Sequence, residues 1–460
     1  MIPIISYCAL IYMAGWALLA TCWGKIFKPM PLGYKLGYSW LAGNALYAAI
    51  FFYLAYMNIF TPENTTKIIL LLSLLTGFIT GWNIVFPLRI KKQLLQILPL
   101  LIIVAFFWHL IQHSLTAYLI DWDATGIWFI KAKALFLSNG LHNQYFLQSG
   151  HYDFSNRAYP IGIPLVMTGF FKLLHFFNDQ AIQFYFVQFF LLLPLMVYSY
   201  IKENFTLSFI TRIILSIGLF ITPLFLNFAH SGYVDLPLSF VFMSMIVGFT
   251  LLSSSKSIQE DVSFVSLIAL CGFFAMQIKN EGTTFTIMAL LISFAYLFFR
   301  KKRTITKAIF SEVIKVLIPI IFLIIPVFLW RQFVANEHIV FYLTGAHILS
   351  DSFSRVKTSI YYYLEVFLNV QVHSLTTIPL LFLASYQIPR LMQRKKLMYL
   401  LPTLLIFGQL CTYTFIYAIT TMPFIVQLQS SFPRLLLHIL PSLYIAVLFQ
   451  QKGLEDHTES

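Results

Sequence analysis

This sequence has very little charge. Asp, Glu, Lys and Arg make up only 10% of its 460 residues, while 59% are hydrophobic. That balance excludes an ordinary soluble domain, where about a quarter of residues are charged, and it excludes a disordered chain, which needs low hydrophobicity. Carboxylates are the scarcer charge, 17 against 30 Lys and Arg, so any carboxylate at the edge of an apolar run needs a physical reason to be there. The net charge of +13 is not a nucleic-acid footprint. The basic residues fall in short clusters between apolar runs, as in the cytoplasmic loops of membrane proteins, and no nucleic-acid partner is expected. The four cysteines, Cys8, Cys22, Cys271 and Cys411, are far apart, and each lies inside an apolar run. They fit neither a disulfide framework nor a zinc site. No G-x-S-x-G, glycine-rich phosphate loop or His-rich metal spacing occurs. The first apolar run begins at Ile2 with no basic region and no small-residue cleavage site, so a membrane helix is expected there, not a removed signal.

Long apolar segments fill the rest. A helix needs ~20 apolar residues to span a bilayer. By that rule the expected spans are roughly 3–23, 38–58, 67–87, 97–118, 181–201, 209–226, 236–253, 262–278, 283–300, 313–333, 374–389, 397–419 and 434–449. The expected fold is an all-α polytopic membrane protein of about 13 transmembrane helices, surrounded by membrane lipids. Three parts follow: residues 1–96 with three N-terminal spans, a module over 97–300 containing a large loop at 119–180, and residues 301–460 with a second loop at 334–373.

The segment 160–178, PIGIPLVMTGFFKLLHFFN, is also long enough to cross, and positive charge decides against it. If it lies in the interface, Lys25, Lys28 and Lys35, Arg89, Lys91 and Lys92, Lys202 and Arg212, Lys256, Arg300 to Arg303, and Arg390, Arg394, Lys395 and Lys396 all gather on one side, as the positive-inside rule requires. If it spans, the strongest clusters move outside. Lys172, His175, Pro160 and Pro164 suit a short interfacial helix. The resulting topology has its N-terminus outside and its C-terminus in the cytoplasm, and the chain's low charge, Lys-rich loops and lack of disulfide spacing suit a bacterial inner membrane. Every long polar stretch, 119–159, 334–373 and 420–433, then faces outward, together with the short loops 227–235 and 279–282.

That face collects the unusual carboxylates. Asp121-Trp122-Asp123 opens a helix, and Asp235 stands two residues before Pro237. Ionisable groups at membrane helices mark functional sites, against the competing reading that each Asp caps its helix. Asp123, Ile127 and Lys131 share one helix face, whereas Lys133 points elsewhere; both lysines suit snorkelling as well. Arg157 lies where its planar fork could hold a phosphate. His151 and Asp153 read as solvated. Lys279 and Glu281 read as a site pair or as an exposed ion pair of little worth. Arg434 begins the last span.

The order of these elements resembles the GT-C class of integral-membrane glycosyltransferases, which includes protein O-mannosyltransferases and the lipid A aminoarabinose transferase. The matching residues are Asp121-Trp122-Asp123, Tyr159-Pro160-Ile161-Gly162 and Asp235-Leu236-Pro237-Leu238, within 97–300, with Asn280-Glu281-Gly282 and 431–435 as weaker elements. Many members carry Asp-Glu where this chain has Asp-Trp-Asp, which leaves Asp121 and Asp123 as alternatives. The resemblance implies a polyprenyl-phosphate sugar donor, a glycan, lipid or protein acceptor, and inversion at the sugar. It implies Asp123 as general base. It gives Asp235 the task of orienting the acceptor, or of holding a divalent metal (Mg or Mn) with Asp121. It implies Lys131, Arg157, Lys279 and Arg434 at the donor phosphate, and Tyr159, His230 and Glu281 as substrate contacts. A lipid or oligosaccharide flippase would instead favour mid-membrane charges and an internal repeat. An O-antigen-type polymerase or ligase would need a late outer loop rich in Arg and His, and 334–373 carries His338, His347, Arg355 and Lys357. For a lipid donor, a lipid-open groove is expected between 124–138 and 160–177, ending at Asp123 and Asp235.

Overall fold

The structure is a computed structural model that describes residues 2–83, 90–119, 121–147, 152–300, 307–337, 352–368, 377–394, 396–419 and 423–455. Among the described residues every regular element is helical. Eight helices among the described residues are long and apolar enough to cross a membrane: Ile2–Cys22, Asp179–Asn204, Asp235–Ser253, Ile258–Ile278, Glu281–Phe298, Val313–Asn336, Leu397–Ile419 and Phe424–Glu455. Ile97–Phe106 and Trp108–Thr116, bent by 60°, make a ninth candidate if taken together. The chain is therefore an integral membrane protein by the length and composition of its helices. Leu32–Tyr56 and Pro62–Asn83 are also long, at 25 and 22 residues. The expected span at 209–226 forms differently. Phe209–Gly218 stops and Pro223–Phe228 restarts, because Gly218 is a poor helix former and Pro223 cannot continue a helix from before it.

Ile2–Cys22 (α1) and Leu32–Tyr56 (α2) cross at glycines. A Cβ on Gly15 would overlap the Ser39 carbonyl oxygen, and one on Gly43 would overlap that of Ile11. Small residues allow such backbone contact, and packing is what holds helices together in lipid. Gly43→Leu is expected to split this crossing and sharply lower the yield of monodisperse protein in detergent, read by size exclusion. A wild-type elution profile would contradict the contact.

The helix Gly162–Leu174 (α3) has 13 residues, too few to cross at 1.5 Å per residue. It does not lie on a lipid surface either. Gly162 through Lys172 are all buried, packed against α2, Pro62–Asn83 and Ile130–Ser138. Thr168 Oγ1 donates to the Ala132 carbonyl at 3.1 Å, and Lys172 Nζ donates to the Phe136 carbonyl at 3.0 Å and to Asn139 Oδ1 at 2.7 Å. These bonds close the groove expected between 124–138 and 160–177. Burial lowers the Lys172 ammonium to about 8. The unfolded chain holds this proton up to the ordinary lysine value, so between these two values the unfolded state binds more protons and stability rises with pH. The melting temperature of the wild type is therefore expected to gain on that of Lys172→Met as pH goes from 8 to 10. A constant difference would place the Lys172 amine in a solvated setting.

One cluster of spans positions the candidate site. Asp235–Ser253 (α4) packs on both Ile258–Ile278 (α5) and Phe424–Glu455 (α8), and α5 packs on Glu281–Arg300 (α6). Leu401–Ile419 (α7) joins this group through contacts with α6 and α8. Phe242 of α4 stacks on Phe285 of α6 with ring centres 3.9 Å apart, and Ser239 Oγ donates to the Leu437 carbonyl at 2.7 Å. Because α4, α5 and α6 alternate in direction, the start of α4, the end of α5 and the start of α6 meet at one end of the bundle. Asp235, Lys279 and Glu281 occupy those three ends.

Candidate functional site

The segment 279–282 turns tightly between α5 and α6. Gly282 lies against the Ala275 carbonyl, where a Cβ would clash, so glycine lets the chain reverse there. The turn aims Lys279 inward. Its ammonium is 2.9 Å from Asp235 Oδ1 and 3.3 Å from Glu281 Oε1. Lys279 is buried, so the weak, exposed ion pair is not what forms. Burial pulls Lys279 toward its neutral form, and Asp235 and Glu281 outweigh that, holding its pKa above the ordinary lysine value. Asp235 is 1% exposed and also receives His438 Nε2 at 2.8 Å. It makes no side-chain cap of α4, whose N-cap is Val234.

Asp123 comes to the same place from the other side of the chain. It precedes a π-helical turn, Ala124–Phe129, that runs into Ile130–Ser138, and its side chain makes no capping bond. Asp123 Oδ2 instead pairs with Arg434 Nη1. Both groups are about one-fifth exposed, and the Arg434 guanidinium lies 5.5 Å from the Tyr233 ring centre. These two pairs, Asp123–Arg434 and Lys279–Glu281, border one cavity of about 480 Å³, with Tyr159, Trp128, Tyr413 and Tyr417 among its walls. That size falls in the range of small-molecule sites. Trp128 and Tyr159 stack at 5.7 Å. Gln409 Nε2 donates to the Glu281 carbonyl at 3.4 Å, and the Tyr417 and Ser431 hydroxyls bond at 2.6 Å, which ties α7 to α6 and α8 around the cavity. Three buried polar atoms on the lining residues have no protein partner among the described residues: Arg434 Nε, Glu281 Oε2 and Gln427 Oε1. Unsatisfied buried groups are costly, and a polar ligand in the cavity would satisfy them.

Other expected site residues lie elsewhere. Lys131 is fully buried, and its ammonium donates to the Asn156 carbonyl at 2.8 Å and to the Tyr159 carbonyl at 3.3 Å. It sits 5.2 Å and 5.6 Å from the Trp128 and Tyr159 ring centres. Burial holds its pKa well below the ordinary lysine value. Lys131 therefore pins the cavity wall and is absent from the cavity lining. Arg157 is buried and donates to the Phe146 carbonyl at 3.1 Å. It too is absent from the cavity lining. Both placements have one cause: a loop folded over apolar helices leaves carbonyls that need donors, and these cations supply them. Asp121 and His230 stand beside each other outside the lining. Burial raises the Asp121 carboxyl, with His230 lowering it and Asp123 raising it further. Burial, then the neighbouring His113, lowers His230, and their rings are 4.4 Å apart. Among the described residues no three His, Cys, Asp or Glu side chains gather into a metal-holding group. Asp235 is turned toward Lys279 and His438. His151, His338 and His347 lie outside the described residues.

Sequence reading missed His438 and Tyr413. A signal for His438 was present: it stands four residues after Arg434, on the same helix face, in the middle of an apolar span. The fold and cavity define an all-helical, polytopic membrane protein with a buried, charge-lined chamber at one end of its bundle. No protein-family model, no curated protein and no solved structure matches the chain.

Proposed function

We propose that the chain transfers a sugar from a polyprenyl-phosphate donor to a glycan, lipid or protein acceptor at the outer face of the membrane, with thirteen spans and the N-terminus outside. One observation carries this reading: a single cavity joins a carboxylate suited to be a base with two cations suited to a phosphate. In the transfer, the bond from the anomeric carbon to the donor phosphate oxygen breaks, and the polyprenyl phosphate leaves with that electron pair. A bond from the acceptor oxygen to the anomeric carbon forms on the opposite face. The acceptor proton passes to Asp123. Arg434 holds Asp123 in place through Nη1, and its Nε–H, without a protein partner among the described residues, remains for the departing phosphate. Lys279 adds a second positive charge in a site shielded from water, where fixed charges act most strongly. Asp235 is a positioning residue for Lys279 and lies behind the cavity.

The test is purified protein in detergent, offered a panel of polyprenyl-phosphate sugars and scored for released lipid phosphate. Turnover of at least one donor is expected. If none is turned over, while labelled oligosaccharide lipids cross proteoliposome membranes with this protein present, the flippase reading replaces it.

A further inference from the structure

We propose that Asp235, His438 and Tyr413 form a hydrogen-bond chain that makes Tyr413 an acceptor-only contact, selecting a substrate that presents a hydroxyl or amine N–H to this wall. The substrate's identity as a sugar rests on the sugar-transfer reading; the chain itself does not. The argument begins at Asp235 Oδ1, which receives Lys279 Nζ at 2.9 Å and His438 Nε2 at 2.8 Å. A carboxylate only accepts, so the imidazole proton stands on Nε2. His438 Nδ1 then offers a lone pair, and the Tyr413 hydroxyl lies 3.0 Å from it. A phenol has one proton, and this one is spent on His438. The Gln409 side chain also bonds this hydroxyl, so what Tyr413 has left for the cavity is an oxygen lone pair.

Tyr413 lines the same cavity as Glu281 and Arg434. Glu281 Oε2, without a protein partner among the described residues, is a second acceptor there, and Arg434 Nε, equally without one, is a donor. The open polar atoms of the lining are thus acceptors at Tyr413, Glu281 and Gln427 and a donor at Arg434, with the Lys279 ammonium beside Glu281. A ligand with both an anionic group and hydroxyl or amine donors fits this set, and a ligand with a carbonyl or ether oxygen against Tyr413 does not. Packing alone gives no reason for His438. It is fully buried in an apolar span, where a polar group carries a desolvation cost that Leu or Met would avoid.

Two measurements test the chain. In protein labelled with ¹⁵N-histidine, with His438→Gln to identify the signal, His438 should show the neutral tautomer with its proton on Nε2, and the signal should move in Tyr413→Phe. A proton on Nδ1, or a doubly protonated ring at neutral pH, overturns the proposal. In the second, deoxy analogues of an accepted donor are compared in wild type and Tyr413→Phe. At one sugar position the deoxy analogue should slow wild type roughly ten- to a hundredfold and slow Tyr413→Phe no further than the parent sugar does. Losses that multiply independently at every position overturn it. If wild type accepts no donor, the sugar-transfer reading fails, and the tautomer spectrum still decides the chain.

Discussion

Asp123→Asn is expected to lower sugar transfer by ~100- to 10,000-fold, the usual loss on removing a general base, while the protein still inserts and elutes as wild type. The substitution keeps the side chain's shape and hydrogen-bonding reach and removes its charge. Asp123 borders the cavity and pairs with Arg434, so two things fail together: the proton acceptor is lost, and Arg434 loses the partner that orients it. Asp121→Asn is the control. Asp121 lies outside the cavity lining, beside His230, and its loss should reduce rate by far less. The comparison also decides between the two carboxylates of the Asp-Trp-Asp motif. Released lipid phosphate, followed over time with saturating donor, is the readout. Wild-type turnover by Asp123→Asn would remove this residue from the mechanism, and equal losses in both variants would point to the electrostatics of the whole segment instead of one base.

The second large effect is on stability. Asp235→Ala should destabilise the folded protein by ~3–5 kcal/mol, the range seen when one partner of a buried ion pair is removed. Asp235 Oδ1 serves both Lys279 and His438, so its loss leaves a buried ammonium and a buried N–H short of an acceptor. Glu281, 3.3 Å from Lys279, recovers part of this and places the expected value toward the lower end. Replacing the pair should cost less than breaking it. The double variant Asp235→Leu with Lys279→Met is therefore expected to melt above Asp235→Ala, as followed by tryptophan fluorescence in detergent. If Asp235→Ala melts with wild type, Lys279 is solvated at this end of the bundle, and its role beside the phosphate loses its basis.

Some of this protein was open to reading from its residues alone, because the determining property is local. Apolar length over about twenty residues specifies a membrane helix whatever it packs on, and α4, α5 and α6 form where that length predicts them. The segment 160–178 meets that length as well, and the distribution of positive charge, with Lys172 and two prolines, marks it as non-spanning; its helix has only 13 residues. Asp235, Lys279 and Glu281 mark the ends of those helices, and alternating direction brings the ends together. The break at 219–222 escaped the length rule because a weak helix former and a proline outweigh hydrophobicity there.

Tertiary structure alone decided which charges meet. Asp123 and Arg434 are 311 positions apart, and nothing in the spacing of either motif implies their pairing. Lys131 and Arg157 looked like phosphate ligands because they are cations near an interface. Only the folded loop shows that they answer backbone carbonyls. The hydrogen-bond chain through His438 to Tyr413 depends on where two helices place single atoms within 3.0 Å. Hydrophobic burial is insensitive to such placement, since it is non-directional and follows area. Hydrogen bonds and ion pairs depend on distance and angle, so the membrane fold was legible from the chain and the chemistry of its chamber was not.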